Sequence, residues 1–184
     1  MRLEPAVVAH CAPTLARLKV ASLFSLVSPC WQTLPQEAAA LRAQLAPKGL
    51  ALRIVPTRNA RALCYLYRER QLADTLCGAG EAAFLRKRGY RSLRVQDALN
   101  TLCERLSRGG DFPHEIGLFL GYPLSDVIAF IEHGGQGCVC CGCWKCYGDA
   151  GEAQRVFARY AKCTEVYRRL YRAGRTLREL TVPA

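Results

Sequence analysis

Apolar residues recur at intervals of three and four along most of the chain, which is the pattern of amphipathic α-helices. The first such segment is Thr14–Val27, where Leu15, Leu18 and Leu26 fall on one face and Pro13 stands at the start, a position that proline favours. The same spacing predicts seven further helices: Pro35–Leu45, Gln71–Cys77, Gly80–Arg88, Ser92–Arg108, residues 111–120, Asp126–His133 and Glu152–Ala173. Most of the chain is therefore predicted to be helical.

Three other segments alternate roughly between apolar and polar residues, as β-strands with one buried face do. Leu50–Val55 and Ala60–Tyr67 flank the turn sequence Pro56-Thr57-Arg58-Asn59, and together they predict a β-hairpin. Cys138–Tyr147 predicts a third strand. Neither internal repeats nor a low-complexity linker is present, so we expect a single α+β domain over residues 1–184, with a small antiparallel sheet of three strands and several helices packed on it.

The composition is that of a globular protein, because 51% of the residues are apolar and 22% are charged, values that exclude a disordered chain. The nearest candidate for a membrane span, Val20–Gln36, is interrupted by Pro29 and Pro35. The eleven cysteines are an odd number in a chain without a recognisable secretory signal, which indicates reduced thiols. We therefore expect a cytoplasmic protein with no membrane partner.

The formal net charge of +11 suggests a polyanionic partner, but its distribution weakens that interpretation. Residues 111–150 are acidic, and the excess of arginine over lysine is typical of a GC-rich genome. Residues 116–131 have helix-turn-helix spacing, yet the second helix lacks side chains that read base edges. We therefore expect no DNA binding. An RNA- or protein-binding module that uses the arginine-rich stretches 86–94 and 168–178 stays an alternative.

Five cysteines fall within nine residues, namely Cys138, Cys140, Cys141, Cys143 and Cys146. Their overlapping Cys-x-x-Cys spacings suit a zinc ion or an iron–sulfur cluster if the segment turns, which Gly142 allows. A flat strand would instead send the two cysteines of each such pair to opposite faces. The segment is therefore open to three interpretations: a metal site, redox-active thiols, or packing in a strand.

A second candidate for chemistry is Cys11, which precedes the helix predicted from Thr14, where the helix dipole would stabilise a thiolate. His10 is next to it in sequence, but neighbouring side chains diverge in helices and strands, so His10 cannot be assumed to be its base. His114 is the other candidate base if the fold brings it to Cys11. These three residues form the predicted catalytic set, and a capping or core role of the histidines is the alternative.

Three sequence blocks occur in order along the chain: HCAPTLA at 10–16 with Lys19, FPHEIGLFLGYP at 112–123 followed by Asp126-Val127, and WK at 144–145 with Tyr147 and Asp149. They resemble the signature of a bacterial family known only as a domain of unknown function, with members mainly from anaerobic, spore-forming-type bacteria. The resemblance implies no established activity and connects the family with redox or metal biology. Within the blocks, the candidate cofactor-binding residues are Lys19, Glu115, Tyr122 and Lys145.

The chain departs from that family pattern at two positions. The pattern implies glycine where this chain has Arg17, and an aliphatic residue where it has Cys146. The complete set of five clustered cysteines is therefore particular to this chain, and a metal site common to the family cannot depend on Cys146.

The leading functional prediction is a cytosolic binding protein that holds a metal such as zinc or iron, an iron-containing group or a redox cofactor through histidine and cysteine, with a redox or metal-handling partner. The first alternative is a thiol-dependent enzyme centred on Cys11, and the second is the arginine-rich RNA- or protein-binding module. No glycine-rich phosphate loop, Ser-His-Asp pattern or two-carboxylate arrangement is recognisable, so the sequence leaves open whether the protein is an enzyme.

Overall fold

A three-stranded antiparallel sheet forms the centre of the fold. The structure is a computed structural model that describes residues 3–27, 30–57, 61–108 and 111–184. The strands are β1 (Ala21–Val27), β2 (Leu50–Thr57) and β3 (Arg61–Arg68). β3 lies between β1 and β2, and both pair with it in antiparallel register. The predicted hairpin is therefore confirmed, although Arg58, Asn59 and Ala60 of that prediction lie outside the described residues.

Helices cover the sheet. The described residues form eight α-helices: α1 (Leu3–Leu15), α2 (Leu34–Leu45), α3 (Glu69–Cys77), α4 (Ala79–Lys87), α5 (Val95–Arg108), α6 (Ile116–Phe119), α7 (Leu124–Glu132) and α8 (Ala150–Arg172). Seven of the predicted helices correspond to α2–α8, with ends shifted by a few residues, and the predicted α+β class is confirmed. In the part of the chain described, no helix has the length and apolar character that crossing a membrane requires.

The central strand separates two hydrophobic cores, because its side chains alternate between the faces of the sheet. Ala62, Cys64 and Leu66 face a core that they share with α1 and α2. Tyr65 and Tyr67 face a second core built with α3, α5 and α6. Because the sheet is covered on both faces, its strands are apolar on both sides and do not alternate strictly between apolar and polar residues.

The helix predicted over Thr14–Val27 is wrong. The chain instead forms α1 up to Leu15 and the strand β1 from Ala21 onward. β1 is buried on both faces in its first half, and periodicity alone does not distinguish such a buried stretch from a helix. α1 lacks a polar face that would mark it in the sequence, because it packs between the sheet and α8 and is buried over most of its length.

α1 ends in a Schellman motif centred on Arg17. The Leu18 N–H donates to the Pro13 carbonyl (2.8 Å), and the Arg17 N–H donates to the Thr14 carbonyl (3.2 Å). This motif requires one residue in the left-handed conformation, which Arg17 adopts with a φ of 62°. Glycine takes that conformation without the steric cost that a Cβ adds. The left-handed backbone conformation therefore explains the glycine that the family resemblance implies at this position.

Arg68, at the end of β3, holds the carboxyl end of α1. Its side chain is buried, Nε donates to the Thr14 carbonyl, and Nη2 donates to the carbonyls of Leu15 and Val182, each at 2.8 Å. The last carbonyls of a helix lack partners within the helix, and the helix dipole favours a cation there. This guanidinium therefore fixes the start of the loop 16–20 against the sheet.

Cys138–Tyr147 is not a strand of the main sheet, and that prediction is wrong. The segment contains a separate two-stranded hairpin, β4 (Cys140–Cys141) and β5 (Lys145–Cys146), while β1 is the third strand of the sheet. A tight turn that contains Gly142 joins β4 and β5. A Cβ at residue 142 would lie 2.3 Å from the Phe157 ring, so only glycine allows α8 to approach this closely.

Candidate functional site

An open basic cleft lies between α1, the loop that follows it and α8, with a volume of about 740 Å³. Four cationic side chains line it: Lys19, Arg168, Arg169 and Arg172. Among the described lining residues Glu165 is the one carboxylate, and it pairs with Lys162 at 3.1 Å. The cleft therefore carries an excess of positive charge, which attracts anions.

Lys19 is only partly exposed, whereas the three arginines of the cleft are exposed. Its ammonium lies 5.0 Å from the centroid of the Tyr122 ring and 6.0 Å from that of Tyr160, distances at which a ring face attracts a cation. Over the described residues, no carboxylate forms an ion pair with it. Burial lowers the pKa of Lys19, and the nearby thiols of Cys143 and Cys11 oppose that shift.

Three rings form an aromatic cluster beside Lys19, consisting of Tyr122, Trp144 and Phe157. Tyr122 stacks on Trp144 with ring centroids 5.2 Å apart, and Trp144 meets Phe157 edge to face at 4.5 Å. The Tyr122 hydroxyl donates to the Cys143 carbonyl at 2.9 Å. The ring that supports the Lys19 ammonium is therefore held in place by the β4–β5 hairpin.

Asp126, in the first turn of α7, fixes that hairpin. Its buried carboxylate accepts hydrogen bonds from Trp144 Nε1 (2.7 Å) and from the backbone N–H groups of Tyr147 (2.9 Å) and Gly148 (3.2 Å). A buried carboxylate with three donors is well satisfied, and hydrogen bonds to a charged acceptor are stronger than neutral ones. Asp126 therefore positions Trp144 and, through it, the aromatic cluster.

A second, smaller pocket of about 180 Å³ adjoins Tyr122 and Trp144. His114 is exposed at this pocket, and its ring contacts those of Phe112 (5.7 Å) and Phe130 (5.0 Å). Lys145 Nζ, also at this pocket, donates to the Gly135 carbonyl at 2.7 Å. A mostly apolar cavity of this size accommodates only a small apolar molecule.

The five clustered cysteines follow the geometry of the hairpin. Cys140, partly exposed, stands opposite Cys146, which is buried, while Cys141 and Cys143 are exposed and Cys138, partly exposed, precedes β4. Nowhere in the described chain do three or more histidine, cysteine, aspartate or glutamate side chains form a group that could hold a metal ion. The zinc or iron site at these cysteines stays a prediction, and the present geometry supplies no ready ligand set for it.

A family model described as "Protein of unknown function (DUF3793)" matches residues 7–181. The chain belongs to this family. The predicted resemblance to a domain of unknown function is thereby confirmed, and the match spans all three sequence blocks. No curated protein and no solved structure matches the chain.

In this DUF3793 protein, residues of the three blocks converge on the aromatic cluster. Lys19 of the first block lies over Tyr122 of the second, and Tyr122 stacks on Trp144 of the third. Trp144 in turn donates to Asp126, which belongs to the second block. The blocks are far apart in sequence, and the fold joins them into one chain of contacts beside the basic cleft.

The three predicted catalytic residues lie at different places. Cys11 is fully buried in the first core, and burial together with the neighbouring Cys64 raises the pKa of its thiol far above the usual range. It also lies toward the carboxyl end of α1, where the dipole disfavours an anion, so the predicted dipole effect has the wrong sign. His10 is exposed in the basic cleft and stacks on Phe24 at 5.0 Å, and His114 lies in the second pocket. A nucleophilic thiol needs access and a stabilised thiolate, and Cys11 has neither.

Glu115, one of the four predicted cofactor-binding residues, has an internal role. Its buried carboxylate forms an ion pair with Arg105 and accepts a hydrogen bond from the Tyr90 hydroxyl at 3.1 Å. A carboxylate that is already paired inside the fold is poorly placed to bind a ligand. The other three predicted residues line the cleft or the second pocket: Lys19, Tyr122 and Lys145.

Sequence reasoning named the arginine-rich stretch 168–178 but missed that α8 forms a cleft together with Lys19. Tyr160 supports Lys19, and Arg168 donates to the Ala9 carbonyl of α1 at 3.0 Å, so both belong to the site. The signal was the recurrence of basic residues at three- and four-residue intervals on one helix, which fits an ordinary solvated surface equally well. Asp126 was missed because an acid in the first turn of a helix is common without any further role.

Proposed function

We propose that this protein binds a small molecule that carries oxyanion groups, and that it does so in the basic cleft. The observation that carries the proposal is Lys19, a partly buried residue whose ammonium lies over two tyrosine rings with no carboxylate paired to it in the described chain. Removing a cation from water costs free energy unless another group compensates. The rings compensate in part, and a bound anion supplies the remainder.

The arginines of α8 define the class of ligand. Arg168 is tethered to α1 through the Ala9 carbonyl, and the guanidinium groups of Arg169 and Arg172 are exposed along the same cleft. A guanidinium presents a planar pair of donors that matches a carboxylate or phosphate, while an ammonium acts as a point charge. A volume of about 740 Å³ is in the range of sites for organic ligands. The proposed ligand is therefore an organic phosphate or carboxylate.

A redox cofactor with phosphate groups belongs to this class, so the proposal includes part of the leading prediction from the sequence. His10 and Cys143 also line the cleft and are the histidine and cysteine available to such a ligand. A cytoplasmic location suits a chain with eleven cysteines, since the cytosol keeps thiols reduced. The Cys11-centred enzyme and the arginine-rich RNA- or protein-binding module stay predictions.

Isothermal titration calorimetry of the full chain at low salt tests the proposal, with pyrophosphate as the phosphate probe and citrate as the carboxylate probe. We expect the wild type to bind at least one probe, and Lys19→Met to weaken that binding by at least about ten-fold, which corresponds to about 1.4 kcal/mol. Lys87→Met removes the same charge from an exposed position at the end of α4 and is the matched control. Its affinity should stay within about two-fold of the wild type, since an exposed charge contributes little.

Two results would contradict the proposal. One is the absence of binding of both probes by the wild type at low ionic strength, where electrostatic attraction is strongest. The other is equal weakening by Lys19→Met and Lys87→Met, because the effect would then reflect net charge and not the cleft. Salt-sensitive binding of RNA that is independent of Lys19 would instead favour the arginine-rich module.

A further inference from the structure

We infer that Cys140 and Cys146 form a thiol–disulfide exchange site that reacts with a low-molecular-weight disulfide. The site lies in the β4–β5 hairpin and uses none of the cationic groups of the basic cleft. The inference therefore goes beyond the proposed anion binding and stands or falls separately from it.

The register of the hairpin places the two cysteines directly opposite each other. Opposite residues of an antiparallel pair have Cα atoms about 4.5–5.5 Å apart. Disulfides span Cα separations of about 4.4–6.8 Å, so this pair can close without a rearrangement of the backbone. Sequence spacing alone singled out the Cys-x-x-Cys pairs, but the register places none of those pairs opposite each other.

The two thiols approach the same part of the protein. The Cys146 thiol donates to the Asp149 carbonyl at 3.6 Å, and the Cys140 thiol donates to the Ala150 carbonyl at 4.0 Å, so both reach the start of α8. Their exposure differs, because Cys146 is 2% exposed and Cys140 is partly exposed. Cys140 is therefore the sulfur that a reagent in solution meets first, and Cys146 is the one that completes the exchange.

The hairpin does not depend on this disulfide for its shape. Asp126 holds it through Trp144, Tyr147 and Gly148, and the Tyr122 hydroxyl holds its turn through the Cys143 carbonyl. These hydrogen bonds are present with both thiols reduced. The pair can therefore be oxidised and reduced while the surrounding structure stays in place, as an exchange site requires.

The exchange proceeds in two balanced steps. Cys140, as the thiolate, attacks one sulfur of the small disulfide, forms a mixed disulfide with it and releases the first small thiol. The Cys146 sulfur, after losing its proton, then attacks Cys140 Sγ, which forms the Cys140–Cys146 bond and releases the second small thiol. Two protein thiols are oxidised, one small disulfide is reduced to two thiols, and the two protons lost by the protein end on those thiols.

Peptide mapping tests the inference with oxidised glutathione as the probe. The reduced full chain is incubated with glutathione disulfide, its remaining thiols are alkylated, and trypsin then cleaves after Lys145. Cys140 falls in the peptide 109–145 and Cys146 in the peptide 146–155. We expect an intact mass lower by two hydrogen atoms before alkylation and a disulfide-linked product of these two peptides, with the bond assigned to Cys140 and Cys146 by fragmentation.

Serine variants of three cysteines of the hairpin make the test specific. Cys143→Ser should keep the linked product, Cys140→Ser should abolish it, and Cys146→Ser should retain a glutathione adduct on Cys140. Circular dichroism checks that each variant is folded, and the mapping of the wild type decides the question even if Cys146→Ser is not. A linked product that persists in Cys140→Ser would assign the bond to another cysteine and overturn the inference. Glutathione adducts without any linked peptides in the wild type would overturn it as well.

Discussion

We expect Asp126→Ala to destabilise the protein by about 3 kcal/mol, because three donors lose their acceptor. They are Trp144 Nε1 and the backbone N–H groups of Tyr147 and Gly148. A donor left without a partner in the interior costs about 1–3 kcal/mol. Gly148 is exposed and the other two are partly exposed, so water replaces part of each lost bond. The lower bound of about 1 kcal/mol for each donor therefore applies, which gives the expected sum.

Asp126→Asn should cost roughly half as much. The asparagine oxygen still accepts hydrogen bonds. Its NH2 group, however, replaces the second carboxylate oxygen of the wild type and would face an N–H donor without accepting from it. Equilibrium urea unfolding followed by far-ultraviolet circular dichroism measures both changes in the free energy of unfolding. Glu132→Gln removes a carboxylate from an exposed position on the same helix and is the control. It should stay within about 0.5 kcal/mol of the wild type.

The fluorescence of Trp144 reports directly on the loss of its hydrogen bond to Asp126. In a Trp31→Phe background it is the one remaining tryptophan, and we expect its emission to shift to longer wavelength in Asp126→Ala as the ring becomes hydrated. Since Trp144 supports Tyr122 and Tyr122 supports Lys19, pyrophosphate binding should weaken as well. A cost below about 1 kcal/mol together with an unchanged Trp144 emission would refute the reasoning, because the hairpin would then be held by other contacts.

Two further predictions concern single residues. Arg17→Gly should stabilise the protein by about 0.5–1 kcal/mol and raise the Tm by about 1–4 °C in calorimetry, because glycine relieves the left-handed strain at φ 62°. Arg17→Ala keeps the Cβ and should not raise the Tm. Burial and the charge of Arg168 lower the pKa of His10, so the unfolded state binds more protons than the folded state. The free energy of unfolding should therefore fall as the pH drops below about 6.5, and His10→Phe should reduce this pH dependence. Pyrophosphate in the cleft should offset Arg168 and raise the pKa of His10 in an NMR titration, with His133 on Tyr147 as the control. Equal melting of the two Arg17 variants, or a His10 pKa that pyrophosphate leaves unchanged, would contradict these predictions.

Local patterns predict the elements that are flanked by turn or capping residues. The β2–β3 hairpin and α8 have clear periodicity and flanking signals, and the structure confirms both. α1 is buried between the sheet and α8, and β1 is covered on both faces only in its first half, so their apolar residues follow neither a clear helical stripe nor an unbroken alternation. Arginine itself gives no turn signal, so the left-handed turn that ends α1 at Arg17 is recognised from its φ in the structure.

The candidate site depends on contacts that sequence spacing does not contain. Arg168 reaches a carbonyl 159 residues away in sequence, and Lys19 meets Tyr160 because α8 packs on α1. The family resemblance did select Lys19 and Tyr122, but it could not say that they touch. The Cys-x-x-Cys spacing suggested metal ligands, whereas the register of β4 and β5 brings together a pair of cysteines separated by five residues.

The hairpin connects the two proposals physically. Its turn carries the Cys143 carbonyl that holds Tyr122, and its strands carry the two cysteines inferred to exchange with a disulfide. A disulfide across β4 and β5 narrows the range of positions open to that turn, and therefore to the ring beneath the Lys19 ammonium. By thermodynamic linkage, any factor by which the disulfide changes the affinity for an anion equals the factor by which the anion changes the disulfide equilibrium. Measuring pyrophosphate affinity in the reduced and oxidised protein therefore also gives the shift in the redox equilibrium, without a separate assumption about how the two sites communicate.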